Sequence, residues 1–308
     1  MLTLIALIVA GLVGLTIGGE LLVRGAVAIA HRLGISNLVT GVVIMGAATS
    51  MPEMVASIEA ALIGSPGIAW GNVVGSNIAN SLLILGATAM IAPIVMHGVG
   101  KRDAVVALIA TVALWALTYS QMANVWIGVF VLALLVAYII WRVNHPRVDD
   151  AEVEDDESKE PTLPLAIGLF VGGLAVLIGG GQLLVTGAID LAGQLGVSDA
   201  VIGLTVVAVG TSLPELAASV AAALRGRSDL AVGNVVGSNI YNILLIGGAT
   251  MTIAPLPVSA EMLDLELPVL AASALLLLGL CRYARRIGRG LGFLLLAAFV
   301  VNTVLLFV

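Results

Sequence analysis

Glu53 and Glu215 are the residues of this chain best placed to do chemistry. Each closes a short polar run, Thr49-Ser50-Met51-Pro52-Glu53 in one case and Thr211-Ser212-Leu213-Pro214-Glu215 in the other, at an offset of 162 residues. At the same offset, residues 71 to 80 read GNVVGSNIAN and residues 233 to 242 read GNVVGSNIYN. Proline has no N–H, so Pro52 and Pro214 deprive the carbonyls of Ala48 and Gly210 of their helical partners. Bare carbonyls at membrane depth persist only where protein or a polar cavity satisfies them, and a cation is one such partner. Carbonyl, hydroxyl and carboxylate oxygens are hard ligands. They suit Ca²⁺, which takes 6 to 8 oxygens, and they suit Na⁺; they are poor for Zn²⁺ or Cu⁺, which prefer nitrogen and sulfur.

Asn72, Ser76 and Asn80 follow one another at four-residue spacing, as do Asn234, Ser238 and Asn242, so each set forms one polar stripe on a helix. Gly71 and Gly75, with Gly233 and Gly237, let a neighbouring backbone approach, which ordinary helix packing also explains. Two deep carboxylates in low dielectric cannot both stay ionised cheaply unless a cation or proton compensates them. Their charge of −2 matches one Ca²⁺, or monovalent ions taken in turn. If the ion-free site cannot reorient, competition for shared oxygens couples the movement of one ion to that of the other. Glu20 stands apart: Arg24 lies one turn below it, an intrahelical ion pair is expected, and its repeat mate is the uncharged Gln182.

These residues need a membrane fold to hold them. The chain is 60% hydrophobic and 10% charged, with a mean hydropathy of +1.15, against about 25% charged residues in a soluble domain. Apolar runs of the roughly 20 residues needed to cross a bilayer occur near 3–30, 38–63, 70–95, 103–120, 124–142, 163–193, 200–224, 230–254, 265–281 and 290–308. The expected fold is therefore all-α and polytopic, with ten transmembrane helices. The first is read as a retained helix, because it has no basic leader and residues 19–25 resemble residues 181–187. With ten helices and both termini outside, all 13 Lys and Arg fall on the inner side, as the positive-inside rule requires.

The repeat begins two blocks of five helices, 1–142 (polar repeat 38–95) and 163–308 (polar repeat 200–257). Five is odd, so the blocks insert in opposite orientations, an arrangement that places a binding site near the midplane. Between them, 143–162 carries eight carboxylates and reads as a solvated cytoplasmic linker. Cys281 is the only cysteine, and His31, His97 and His145 fall at expected helix ends. A catalytic centre would need a core nucleophile and base that these do not supply. A channel commonly builds its pore from several subunits, whereas this chain brings both halves of its own site. Neither an enzyme nor a nucleic-acid binder is expected, and no cofactor or obligate protein partner; the bilayer is the expected surround.

At these motifs the chain resembles the cation/Ca²⁺ exchanger superfamily, most closely its compact prokaryotic Na⁺/Ca²⁺ exchangers, over essentially its whole length. The resemblance implies a plasma-membrane antiporter with Glu53 and Glu215 as central Ca²⁺ and Na⁺ ligands. It implies hydroxyl or carbonyl oxygens from Thr49, Ser50, Thr211 and Ser212, with Ser76, Ser238, Asn80 and Asn242 completing the set; Gly46 and Ala208, whose only oxygens are carbonyls, are included with them. It also implies that helices 1 and 6 are long, tilted and slide across the rest. Two departures stand out. Ala48 replaces the usual glycine before Thr49, whereas Gly210 keeps it. Asn242 occupies a position where some members, including the K⁺-dependent branch, carry Asp, which argues against K⁺ coupling. H⁺ coupling is the alternative to Na⁺.

Overall fold

Apolar segments in lipid can satisfy their backbone groups only as helices or closed barrels, and this chain forms helices almost throughout. The computed structural model describes residues 2–33, 46–96, 100–145, 161–224, 226 and 228–307. The acidic stretch 146–160, His97, residues 34–45 at the head of the expected second helix, Arg225 and Arg227 lie outside the described residues. The helices are α1 (Leu2–Arg32), α2 (Gly46–Thr49), α3 (Met51–Leu62), α4 (Pro66–Ala79), α5 (Leu85–Ile91), α6 (Lys101–Ser120), α7 (Val125–Asn144) and α8 (Leu163–Leu195). They continue with α9 (Asp199–Ile202), α10 (Ala208–Thr211), α11 (Leu213–Leu224), α12 (Ser228–Tyr241), α13 (Gly248–Ile253), α14 (Glu266–Tyr283) and α15 (Arg289–Leu305). Wider π turns join α4 to α5 (Asn80–Ile84), α9 to α10 (Gly203–Val207) and α12 to α13 (Asn242–Gly247).

Among the described residues, seven stretches are long and apolar enough to span a membrane: Leu2–Ile29, Pro66–Ile91, Lys101–Ser120, Val125–Asn144, Leu163–Leu195, Leu230–Ile253 and Glu266–Tyr283. An eighth is the pair Asp199–Thr211 and Leu213–Leu224, bent by 43°. α15 is apolar but shorter.

Burial sorts the helices. Pro66–Ile91 and Leu230–Ile253 are 78% and 72% buried, against 17% for Val125–Asn144, so the two duplicated helices form the centre of the bundle. Trp70, Val74, Ile78, Val236 and Ile240 pack one large core around them. A second core, with Leu15, Leu177, Leu184, Ala56 and Ala60, joins α1 and α8 to α3. α1 and α8 lie backbone against backbone along their length. A Cβ on Gly18 would come within 2.6 Å of the Leu177 nitrogen, and one on Gly173 within 2.5 Å of the Leu22 nitrogen. Only glycine permits that approach, and the pair is thereby locked together.

Contacts also tie the first half to the second. Ile94 pairs with Ile287 and Val95 with Arg286 in a short antiparallel ladder, β1 (Ile94–Val95) with β2 (Arg286–Ile287). Ser65 donates to the carboxylate of Asp199, and the Arg289 guanidinium donates to the Met90 carbonyl at 3.1 Å.

Candidate functional site

The two proline motifs fold alike. Ser50, between α2 and α3, has φ −88° and ψ 8°; Ser212, between α10 and α11, has φ −84° and ψ 7°. Both sit in the sparsely populated bridge region favoured by turns and functional sites. Each proline follows in the first turn of the next helix, where a missing N–H costs nothing. Each glutamate lies in that same turn, where the exposed N–H dipoles favour negative charge. Glu53 and Glu215 are both 1% exposed, and the Glu53 carboxylate meets Ser212, three residues before Glu215.

Matching clamps hold the glutamates in place. Asn72 Nδ2 donates to the Glu53 carbonyl (3.0 Å) and to Ser57 Oγ (2.9 Å). Asn234 Nδ2 donates to the Glu215 carbonyl (3.1 Å) and to Ser219 Oγ (2.9 Å). Asn72 and Asn234, which head the two polar stripes, therefore position the glutamate-bearing helices instead of presenting free amides. Ser57 and Ser219 were not expected here. Their signal was available, since each lies four residues after its glutamate at the repeat offset.

The halves meet directly at the breaks. Ser212 Oγ donates to Glu53 Oε1 at 3.0 Å, and Thr211 Oγ1 shares its hydrogen between the Val207 carbonyl at 3.0 Å and Asn72 Oδ1 at 3.2 Å. Ser76 Oγ also donates to Asn72 Oδ1, at 3.3 Å. The π turn that starts at Asn80 packs on α11, which carries Glu215, while the π turn that starts at Asn242 packs on α3, which carries Glu53. A π turn adds a residue to the helical ring and re-aims the side chain at its head; the Leu85 N–H accordingly reaches back to the Asn80 carbonyl. Helix periodicity alone gave no sign of these turns.

Asn239 is a further residue missed by sequence reasoning. It accepts from Asn80 Nδ2 at 3.1 Å and donates to Ser81 Oγ at 3.0 Å, crossing between halves. Its repeat mate Asn77 instead bonds its own helix, at the Val73 carbonyl (2.7 Å). The only hint was the unmatched Ser81, whose counterpart is Ile243.

Several buried oxygens here have no hydrogen-bond partner among the described residues: Ser50 Oγ, Glu53 Oε2, Asn80 Oδ1, both carboxylate oxygens of Glu215, and Asn242 Oδ1. Each such group costs about 1–3 kcal/mol if nothing replaces water. Drawn from both halves and mixing carboxylate, amide and hydroxyl oxygens, they match the donor set of a hard cation. Ser238 is buried beside its stripe mate Asn242. Thr49 is half-buried and lines a cavity that reaches both prolines. The Ala208 carbonyl already accepts the Ser212 N–H at 3.2 Å and faces Thr211 Oγ1 at 3.4 Å, and Gly46 opens α2. Among the described residues no three His, Cys, Asp or Glu side chains form a metal cluster. A cation here would depend on two carboxylates and neutral oxygens.

A sodium/calcium exchanger protein profile matches residues 3–144 and 165–308. The chain belongs to that family. It is 40% identical to the putative antiporter CaxA of Alkalimonas amylolytica over 100% of this chain and 99% of that protein. It is 34% identical to the sodium/calcium exchanger MaX1 of Methanosarcina acetivorans over 96% of each. Its fold is similar to that of the sodium-calcium exchanger NCX_Mj soaked with 10 mM Na⁺ and zero Ca²⁺, with a TM-score of 0.66, 34% identity and 99% of each chain covered. This family member is a multi-pass membrane protein built for cation exchange.

Proposed function

We propose that this exchanger is a secondary antiporter that trades Ca²⁺ for Na⁺ by alternating access at one midplane site. The observation that carries the reading is the set of partnerless buried oxygens from both halves, gathered around Glu53 and Glu215. Glu53 and Glu215 supply the charge. Ser50, Ser212, Thr49, Thr211, Ser76, Ser238, Asn80 and Asn242 supply neutral oxygens, with the carbonyls of Gly46 and Ala208 at the rim. Ca²⁺ and Na⁺ compete for the same ligands, so the ion-free carboxylates, repelling one another in a low-dielectric core, disfavour the return stroke without cargo. The locked pair α1 and α8 is the body that moves between the two access states.

The same reading takes the fold as ten spans in two inverted five-helix blocks, 1–142 and 163–308, in the plasma membrane. Both termini face outside, and the linker 143–162 is cytoplasmic. Its support is the sorting of all 13 basic residues to one side and the matched clamps of the two halves. The relatives named for sodium and calcium exchange bring Na⁺ forward as the coupling ion.

Reconstitution in liposomes tests the coupling, with Ca²⁺ uptake measured against imposed Na⁺, H⁺ and K⁺ gradients in turn. Uptake is expected on an outward Na⁺ gradient alone. Uptake driven by H⁺ in the absence of Na⁺ overturns the Na⁺ assignment in favour of Ca²⁺/H⁺ exchange.

A further inference from the structure

A cavity of about 420 Å³ lies between α1 and the two proline breaks. Glu20 and Arg24 line it on α1, and Thr49, Pro52 and Pro214 line it at the breaks. It therefore connects a charged stretch of α1 to the residues flanking the ion site. Arg24 donates to the Glu20 carboxylate, and the two side chains remain 66% and 60% exposed. A pair of charges left that open on a membrane-spanning helix is stabilised where water reaches it, and the cavity beside the pair offers such access. At the matching positions of α8 stand the uncharged Gln182 and Thr186; the charge beside that turn of α8 is the lone Glu59, which packs against Gly181, so among the described residues the Glu–Arg pair is found on α1 alone.

We propose that Glu20 and Arg24 form a one-sided charge gate that sets how strongly cations enter this passage, and that discriminates Ca²⁺ from Na⁺ there. Glu20 draws cations toward Thr49 and Glu53, and Arg24 tempers that pull. An arriving ion takes the place of Arg24 at the Glu20 carboxylate and then moves on to the site. Low-dielectric walls focus the field of such charges along a cleft. The energy of an ion in that field scales with its charge, so any factor by which the gate alters Na⁺ affinity is squared for Ca²⁺. A pair that merely stabilised α1 would shift both ions alike.

The gate rests on the exchanger reading of the site, and the test keeps the two apart. The full-length protein is reconstituted in liposomes, and KM for Na⁺ and for Ca²⁺ is measured from each side of the membrane. Arg24→Gln is expected to lower KM on the cavity side by about threefold for Na⁺ and about ninefold for Ca²⁺, with KM on the other side unchanged. Glu20→Gln raises KM there in the same proportions. The double variant Glu20→Gln, Arg24→Gln, which keeps the net charge of the passage at zero, returns close to the wild type and controls for folding. Equal factors for the two ions, equal shifts on both sides, or a double variant no better than Glu20→Gln would each overturn the gate. Failure of the wild type to exchange Ca²⁺ for Na⁺ would instead overturn the function on which it rests.

Discussion

Glu215→Gln separates the cost of the site from its use. Both carboxylate oxygens of Glu215 are buried without a hydrogen-bond partner among the described residues, while Glu53 accepts one bond from Ser212. All that Glu215 gains in the loaded protein therefore comes through the ion. Removing one member of a buried charge pair costs about 3–5 kcal/mol, which at about 1.36 kcal/mol per decade weakens Ca²⁺ binding roughly 150- to 5,000-fold. In the ion-free protein the sign reverses, because the neutral amide relieves the cost of a carboxylate charge buried away from water. Thermal unfolding in detergent reads both effects. Ca²⁺ at 100 times the wild-type Kd stabilises the native state by about 2.7 kcal/mol. After a 150-fold loss of affinity the same Ca²⁺ contributes only about 0.3 kcal/mol. The melting increment produced by Ca²⁺ should thus shrink to about a tenth, while the midpoint without Ca²⁺ holds or rises and Ca²⁺ uptake by liposomes is abolished. A Glu215→Gln protein that keeps its Ca²⁺-dependent increment would refute the assignment of this carboxylate as a ligand.

Asn234→Ala removes the two bonds that clamp Glu215. Interhelical hydrogen bonds in membranes average about 0.6 and reach about 1.7 kcal/mol, so unfolding in detergent should show a loss of about 1–3 kcal/mol together with weaker Ca²⁺ binding. Asn239→Leu frees the Asn80 amide, and KM for Ca²⁺ should rise about tenfold, the equivalent of one hydrogen bond at about 1.4 kcal/mol, with kcat little changed. Gly18→Val forces a side chain against the Leu177 backbone. Overpacking of about 1–3 kcal/mol should part α1 from α8, cutting exchange turnover more than equilibrium Ca²⁺ binding measured by isotope retention.

What the sequence made legible is the part written in residue type. Pro52 and Pro214 announced the breaks, Glu53 and Glu215 their charge, and the 43° bend beside Ser212 follows from an imino acid that cannot donate. The Glu20–Arg24 pair formed at its expected spacing. Hydrogen-bond assignment within the polar stripes was less legible, because a buried amide can serve as ligand, clamp or strut according to what neighbours it. Asn72 and Asn80 occupy one stripe, yet the first ends on the Glu53 carbonyl and the second on Asn239. The π turns were invisible for a related reason: the extra residue in the ring is imposed by packing between halves, and it leaves the local pattern of apolar residues unaltered.

The crossed packing explains why near-identical halves need not act identically. Each break is faced by the other half's π turn, so a change in one copy alters the environment of the opposite glutamate. Ser81 gives Asn239 a partner and fixes the Asn80 amide, leaving its Oδ1 to point away. Ile243 offers no such hydroxyl, and Asn242 retains neither an acceptor nor a donor contact. The Asn80 amide is thus held by a hydrogen-bond strut, whereas the Asn242 amide is held by packing alone among the described residues. Holding the Asn80 amide by its nitrogen preorganises the oxygen of the same group. The duplicated motif therefore carries an asymmetry that its residue types conceal: the Asn80 amide is committed to a partner in the other half, and the Asn242 amide is not.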